Sequence, residues 1–570
     1  MTTIVPDGIP ATGEADLWCT YAAVRTLAWL GRIRPTPHLD QTAALIRNRR
    51  NADGGYAWSR GMTSDAWATF YCMSTLMDLA ESDDDTESTL RWLSSVWSGE
   101  AFAMMPGQAP EVWATHFATR TTVELCGADV PDRTALLRWL GALQTESGGL
   151  AWSPGHATTG HADARACYYA IASWRALASR EVTEPPWDVP GLVRWLQQRQ
   201  TTSGGFVFSE ADTVPCMWAT YRTVGSLVQL GARPLRNPTS WILAQRDGSG
   251  AFVRWPDHPV ADVWASFSAV GTLRELGEDL TGIADATWDR LDTMACDGGG
   301  FTYREPDLAA DALTVAAAAL DEDQDTSRRG TLVGWLETCM LPNEDGIMYM
   351  PGRGAEVRCT SWALHAGAFA DDPGRLRAIG TWLAGLQNPD GGVGYWKGRG
   401  SDLVSTASAV EIMRTTHQTD ALDLQGLIAF TQACRGAEAG EYGNVPGGAP
   451  TARSALHAVR VFDAARGTSD VRAVDVLERH RVPGGGWANT GRRMPDLLTT
   501  YEAVVTADRF GIEVDRGHLR RFLDRTASGA EAAWSPLAPP GSDPLAIGLH
   551  RLLRRRLARD SFILPPVSLS

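Results

Sequence analysis

One pattern recurs twelve times along this chain, at intervals of 45 to 53 residues, and it leaves few folds open. The copies open at Asp16, Asp65, Glu111, Asp163, Cys216, Asp262, Asp311, Glu356, Asp402, Thr451, Asp496 and Asp543. After each opening comes an apolar stretch rich in alanine and aromatic residues, then a second, amphipathic stretch, and in most copies a glycine-aromatic turn. A unit of this length cannot bury its apolar face alone, so identical units stack on one another into an array.

The periodicity makes each unit a helical hairpin. Its first helix is apolar nearly all round, as a helix covered on most sides must be. The second carries apolar residues at i, i+3 and i+4 and charge opposite: Leu136, Trp139, Leu140 and Leu143 against Arg133, Arg138 and Gln144. The first helices therefore form an inner ring and the second an outer one. Twelve hairpins are too many for one closed ring, which predicts an all-α protein of two α/α barrels, or toroids, with about six hairpins in each.

Four turns share a fuller signature: Gln144, Gln200, Gln245 and Gln387 each precede glycines by a few residues, with an apolar or aromatic residue after them. The glycines permit the left-handed backbone that ends a helix, and the following ring packs back on the hairpin. This resembles the Gln-x-x-x-Gly-x-Trp repeat of the prenyltransferase and squalene-cyclase superfamily, and the likeness runs through nearly the whole chain. Within it the chain is most similar to class II terpene cyclases, which implies their βγ-type pair of barrels. The resemblance implies domains at 35–280 (γ-like) and 281–570 (β-like), with residues 1–34 and their helix packing on the second barrel.

At 570 residues, 44% hydrophobic, the chain is long enough for two cores. Its net charge of −15 disfavours nucleic acid as a partner. No stretch reads as a signal peptide or a membrane span, and nine scattered cysteines without a CxxC pair read as core residues in a reducing compartment. A cytoplasmic location without integral membrane association is expected. Oligomeric state has no signature.

Class II cyclases protonate an alkene with the middle Asp of a DxDD or DxDT motif, about ten residues after a glycine-aromatic turn. Counting from Gly300 and Phe301, the resemblance puts that Asp on Asp311. Ala309 and Ala312 stand where the flanking motif residues belong, so one carboxylate of the signature remains. Asp307, four residues earlier, is placed to share a helix face with it, and like-charge proximity would raise one of the two pKa values. An acid also occupies the Asp311 position in ten of the twelve repeats, which a helix-capping role would produce equally well.

The implied substrate is a linear isoprenoid, taken as a prenyl diphosphate. Phe301, Tyr303, Trp362, Trp396 and Tyr501 are the candidate pocket aromatics, since rings stabilise carbocations. Arg353, Lys397 and Arg399 lie on glycine-rich turns at helix starts, suited to a diphosphate. Protonation needs no cofactor, although Mg²⁺ would accompany a diphosphate. The run Asp83-Asp84-Asp85 resembles an acidic Mg²⁺ motif of some diterpene cyclases but reads as a solvated loop. Zinc is disfavoured, because Cys359 has Val357 at the expected Asp position and Ser454, Thr499 and Ala546 where the His is expected. The alternatives are a prenyl-group transferase of this fold and a non-catalytic toroid that binds an isoprenoid or a protein.

Overall fold

The computed structural model describes residues 15–568 except 59–61, 82–84, 107, 159, 161, 211–212, 257–260, 303–311, 323–325, 342–343, 349–354, 397–399, 468, 470, 539, 542, 560 and 567. Asp16, Asp65, Asp163, Asp262, Asp402, Asp496 and Asp543 each accept a first-turn N–H with their carboxylates. Cys216 and Thr451, the two openings without an acid, do the same with Sγ and Oγ1. The repeated opening residue is thus first of all an N-cap.

The inner helices of the first unit are α1 (Leu17–Trp29), α2 (Ala66–Asp78), α3 (Val112–Arg120), α4 (Ala164–Arg180), α5 (Met217–Gln229) and α6 (Val263–Leu276), and all but α3 are capped by the side chain of their opening residue. Each packs on the next, and α6 packs on α1, so the ring is closed. In the second unit α7 (Ala312–Asp321), α8 (Val357–Ala366), α9 (Leu403–Thr415), α10 (Ala452–Ala464), α11 (Leu497–Arg509) and α12 (Pro544–Ala558) close in the same way, α12 against α7. The eleven described openings begin inner helices, a twelfth inner helix starts at Ala312, and amphipathic helices such as Arg133–Gly141 and Leu424–Ala433 form the outer layer. The last repeat departs from the pattern, since after α12 the described residues run on without another helix.

What fixes most turns to their ring is a hydroxyl or thiol at the fifth residue of the repeat, present in nine of the twelve copies. Thr69, Thr115 and Thr220 accept the backbone N–H of Tyr56, Phe102 and Phe206 at 3.0, 3.2 and 3.0 Å, and Cys167 and Ser266 do so for Leu150 and Phe252. Thr360, Thr406 and Thr500 hold Ile347, Val393 and Trp487 alike. The carbonyl of the same turn residue accepts the N–H of the opening residue, as Tyr56 does from Asp65 at 3.1 Å. Both backbone groups of one buried residue are thereby satisfied.

This latch corrects the expected domain division. Phe301 does not latch onto α7, the helix that follows it in sequence, where Val315 stands at the fifth position. It reaches back to α1, where Thr20 Oγ1 accepts its N–H at 3.0 Å and its carbonyl accepts the N–H of Asp16 at 3.1 Å. Gly299 and Gly300 have φ of 90° and 75°, and a Cβ on Gly300 would lie 2.4 Å from that of Ala15. Helix α1 therefore belongs to the first ring rather than the second, and the division falls at Pro306 and Asp307 rather than at 280 and 281.

The two bores are filled differently. The sixth residues of the first ring, Tyr21, Phe70, His116, Tyr168, Tyr221 and Phe267, form an unbroken circle of neighbouring rings 5.2 to 6.0 Å apart. Such pairs add about 0.5–1.5 kcal/mol each beyond burial. The matching residues of the second ring are Ala316, Ser361, Ala407, Leu456, Tyr501 and Gly548, so four of the six positions carry little or no side chain.

Replacing Thr20 by Val leaves the buried N–H of Phe301 without an acceptor, and should cost about 1–3 kcal/mol in guanidinium unfolding of the full chain. Thr20→Ser should retain most of that stability. Equal stability of Thr20→Val and the parent would show that the ring closes without the latch.

Candidate functional site

Of the residues the sequence singles out, Asp307, Asp311, Tyr303, Arg353, Lys397 and Arg399 lie outside the described residues. Phe301 is no pocket residue: it is buried in the first unit, latched to Thr20 and set edge-on against His38 at 5.1 Å. Trp396 packs edge-on against Tyr395 at 5.0 Å on its turn, and the Arg358 guanidinium lies 4.2 Å from the Tyr395 ring. Trp362 on α8 and Tyr501 on α11 come together, both fully buried, with ring centroids 6.1 Å apart and nearly parallel planes.

Around that pair the second ring buries charge. Arg460 on α10 donates to Glu502 on α11, and His457 Nε2 lies 3.0 Å from the other carboxylate oxygen of Glu502. Arg460 and Glu502 have no solvent exposure and His457 has 2%. Burial pulls the His457 imidazole below its ordinary range despite Glu502, and it pulls His365 down to about 4 with the help of the nearby Arg460 charge. Both histidines are therefore neutral at physiological pH, leaving Arg460 and Glu502 as the charged pair. Sequence reading missed this cluster because its members lie 42 to 108 positions from their partners; the available signal was polar residues on helices that are otherwise apolar.

Chain beyond α12 reaches this cluster. Leu564 and Ser568 are each 1% exposed, and Arg460 donates to Ser568 Oγ at 3.0 Å. Trp362 Nε1 donates to the Ser568 carbonyl and Tyr501 Oη to the Pro565 carbonyl, both at 3.4 Å.

One capping acid of the first unit is perturbed by its burial. Asp65 accepts the Ala68 N–H at 2.7 Å, yet burial pushes its carboxyl up to about 7, against the opposing hydrogen bonds from Ala68, Trp67 and Trp58. Asp65 is followed two places on by Trp67, whereas Arg165 and Arg358 pair with Asp163 and Glu356. Desolvation without a counter-ion favours the protonated acid.

The donor set does not suit zinc. The Cys359 thiol donates to Glu356 at 3.1 Å, while Ser454 and Thr499 bond the openings of their own helices and Ala546 has no ligand atom. Of the acidic run, Asp83 and Asp84 lie outside the described residues, and Asp85 caps the helix Thr86–Ser95. Among the described residues no group of three or more His, Cys, Asp or Glu side chains is placed to hold a metal. No described helix is long and apolar enough to cross a membrane.

The prenyltransferase alpha-alpha toroid domain model matches residues 5–98, 62–214, 208–320 and 310–459, and the chain belongs to that family. Solved structures similar to it include a protein prenyltransferase and two terpene cyclases. Candida albicans protein geranylgeranyltransferase-I is 14% identical, over 48% of this chain and 87% of its own, with a TM-score of 0.40. The type II terpene cyclase MstE from Scytonema is 15% identical, over 46% and 87%, with a TM-score of 0.34. The ent-copalyl diphosphate synthase of Streptomyces platensis is 14% identical, over 96% and 95%, with a TM-score of 0.32. No match was found among curated proteins.

The Asp65 environment makes a signed prediction. Its folded carboxyl, near 7, holds a proton more tightly than an unfolded one near 3.8, so its contribution to stability is complete below about pH 4 and is lost as pH rises toward 7. Asp65→Asn keeps a good cap and cannot ionise, so its stability relative to the parent should increase from pH 4 to 7. Parallel stability-pH curves for the two proteins would exclude a raised Asp65 pKa.

Proposed function

We propose that the chain is a class II-type terpene cyclase that protonates a linear isoprenoid, with Asp311 as general acid. The observation that carries this reading is the behaviour of Asp65. Burial raises this helix-heading carboxyl to about 7, with Trp67 two places on. Asp311 likewise has an apolar residue, Leu313, two places on, and Ala312 and Leu313 are buried. The glycine-aromatic turn that precedes it in sequence is bonded to Thr20 instead, and Val315 offers no hydroxyl to latch another. The start of α7 thus lacks the tie that fixes most other inner-helix starts.

In this mechanism the Asp311 carboxyl gives its proton to the terminal alkene carbon and is left as a carboxylate. The resulting tertiary cation is attacked by the next alkene of the same chain, and loss of a proton or capture of water ends the cascade. Asp307, as a second carboxyl nearby, would help keep Asp311 protonated at neutral pH. Arg353, Lys397 and Arg399 would hold a diphosphate head, with Mg²⁺ accompanying it, and Tyr303, Trp362, Trp396 and Tyr501 would face the chain. One rival has an observation in its favour: both bores are filled, as expected of a toroid that only binds a partner or an isoprenoid.

Product analysis with farnesyl and geranylgeranyl diphosphate decides between them. Asp311→Asn should abolish cyclisation with the fold intact, and Asp307→Asn should give an intermediate loss. Asp262→Asn and Asp402→Asn are the matched controls, since these acids cap Ala265 and Ser405 at 2.7 Å. Each control should keep its activity and lose no more than about 1 kcal/mol of stability. Turnover by Asp311→Asn at the parental rate would refute the protonation mechanism. If the diphosphate is held as proposed, Lys397→Ala weakens its binding by about 1–3 kcal/mol, the range for charge-assisted hydrogen bonds.

A further inference from the structure

The chain that follows α12 fills a space the second ring does not need filled in order to close. Ring closure is complete in the helices: α12 packs on α7, and Arg555 donates to the carbonyls of Leu320 and Asp321 at 3.1 and 2.7 Å, at the carboxyl end of α7. From there the tail turns inward. Arg555 lies 4.2 Å from the Phe562 ring, Leu564 N–H donates to Asp508 near the end of α11, and Ser568 sits midway along α8 beside Trp362. The tail therefore enters the bore from the carboxyl ends of the inner helices.

Its attachments are weak compared with those of the walls. Three of its hydrogen bonds, from Leu564 to Asp508, from Tyr501 to Pro565 and from Trp362 to Ser568, are 3.4 Å long, well beyond the usual 2.9–3.0 Å. Pro565 and Pro566 have no N–H to give, and Ile563 is 68% exposed. What the tail meets, by contrast, is costly to bury: Arg460 of the Arg460–Glu502 pair and the paired rings of Trp362 and Tyr501. A wall of apolar residues would seal the bore with less desolvation.

We infer that residues 562–566 and Ser568 form a displaceable plug, and that the bore they occupy takes an apolar chain ending in an oxygen acceptor. The carbonyl and hydroxyl of Ser568 are the acceptors that Trp362 and Arg460 bind now, and a ligand head group would replace them there. Ala316 and Ala407, at the positions of the first ring's aromatic circle, are the small residues that leave width for its chain. The tail is then autoinhibitory: a ligand must displace it, and its apparent affinity falls by the fraction of molecules with an empty bore. This inference rests on the second ring alone and stands or falls independently of Asp311.

The full-length variant Leu564→Asp tests it, because a carboxylate beside Asp508 and in an apolar site ejects the tail. The probe is 1-anilinonaphthalene-8-sulfonate, an apolar ring system with an oxygen head, read by energy transfer from tryptophan. Leu564→Asp should bind one equivalent about tenfold or more tighter than the parent. A synthetic peptide of residues 561–570 should displace the probe, and Leu564→Asp combined with Trp362→Leu should lose it. A folded Leu564→Asp protein with parental affinity, or probe binding unaffected by Trp362→Leu, overturns the proposal. So does a Leu564→Asp chain that fails to fold, since the tail would then be part of the wall.

Discussion

The fold depends on one small interaction, the hydrogen bond from a turn residue's N–H to a hydroxyl or thiol on the fifth residue of an inner helix. Helices of 9 to 17 residues have no intrinsic reason to stand side by side in a circle. The latch supplies one, because the same turn residue must satisfy its N–H at the fifth residue and its C=O at the first. That fixes both the height and the rotation of the helix relative to its turn. Where the turn is followed by a helix with the hydroxyl, the hairpins stack in order. The fifth position lacks a hydroxyl or thiol at Val315, Ala455 and Ile547. The Tyr442 turn still bonds Thr451 through its carbonyl, whereas the Phe301 turn bonds Thr20 and Asp16 on α1 and so closes the first ring.

Once the helices stand in register, equal positions in successive repeats face one another, and each becomes a layer of the bore. In the first ring the sixth-residue layer is aromatic all round, and the third-residue layer contributes further stacking, such as Trp18 on Trp264 at 4.3 Å. That bore is solid, and the cation-stabilising rings that a cyclase would need are packed against each other. In the second ring the same layer is mostly Ala, Ser and Gly. A void of that kind costs roughly 24 cal/mol per Å³ if left empty. The two units share a scaffold and have opposite interiors.

Much of this was legible in the sequence. The repeat, the hairpin and the inner-helix starts follow from the period and from apolar residues, because they depend on contacts within one repeat. The placement of α1 was not read correctly, since it depends on a bond between Thr20 and Phe301, 281 positions apart. Its signal was nevertheless present as Thr at the fifth position of repeat one and Val at that of repeat seven. The Arg460–Glu502–His457 cluster was less accessible still, because nothing in the repeat pattern marks a polar residue in one copy as facing a polar residue in another. Phe301 was misjudged for a related reason: an aromatic after glycines is a pocket residue or a latch according to which helix it meets.

The capping acids show how one position can carry both scaffold and chemistry. An Asp before a helix is stabilised by the first-turn N–H groups, which favour its ionised form, and in an exposed repeat nothing opposes them. Burial opposes them, and at Asp65 it prevails, pushing the carboxyl up to about 7. A general acid can therefore arise in this architecture from a cap the fold already requires, with no new carboxylate introduced. On the reading proposed for Asp311, the flanking acids of the DxDD signature are one way to hold a proton on the middle one, and burial of a helix-heading acid is another.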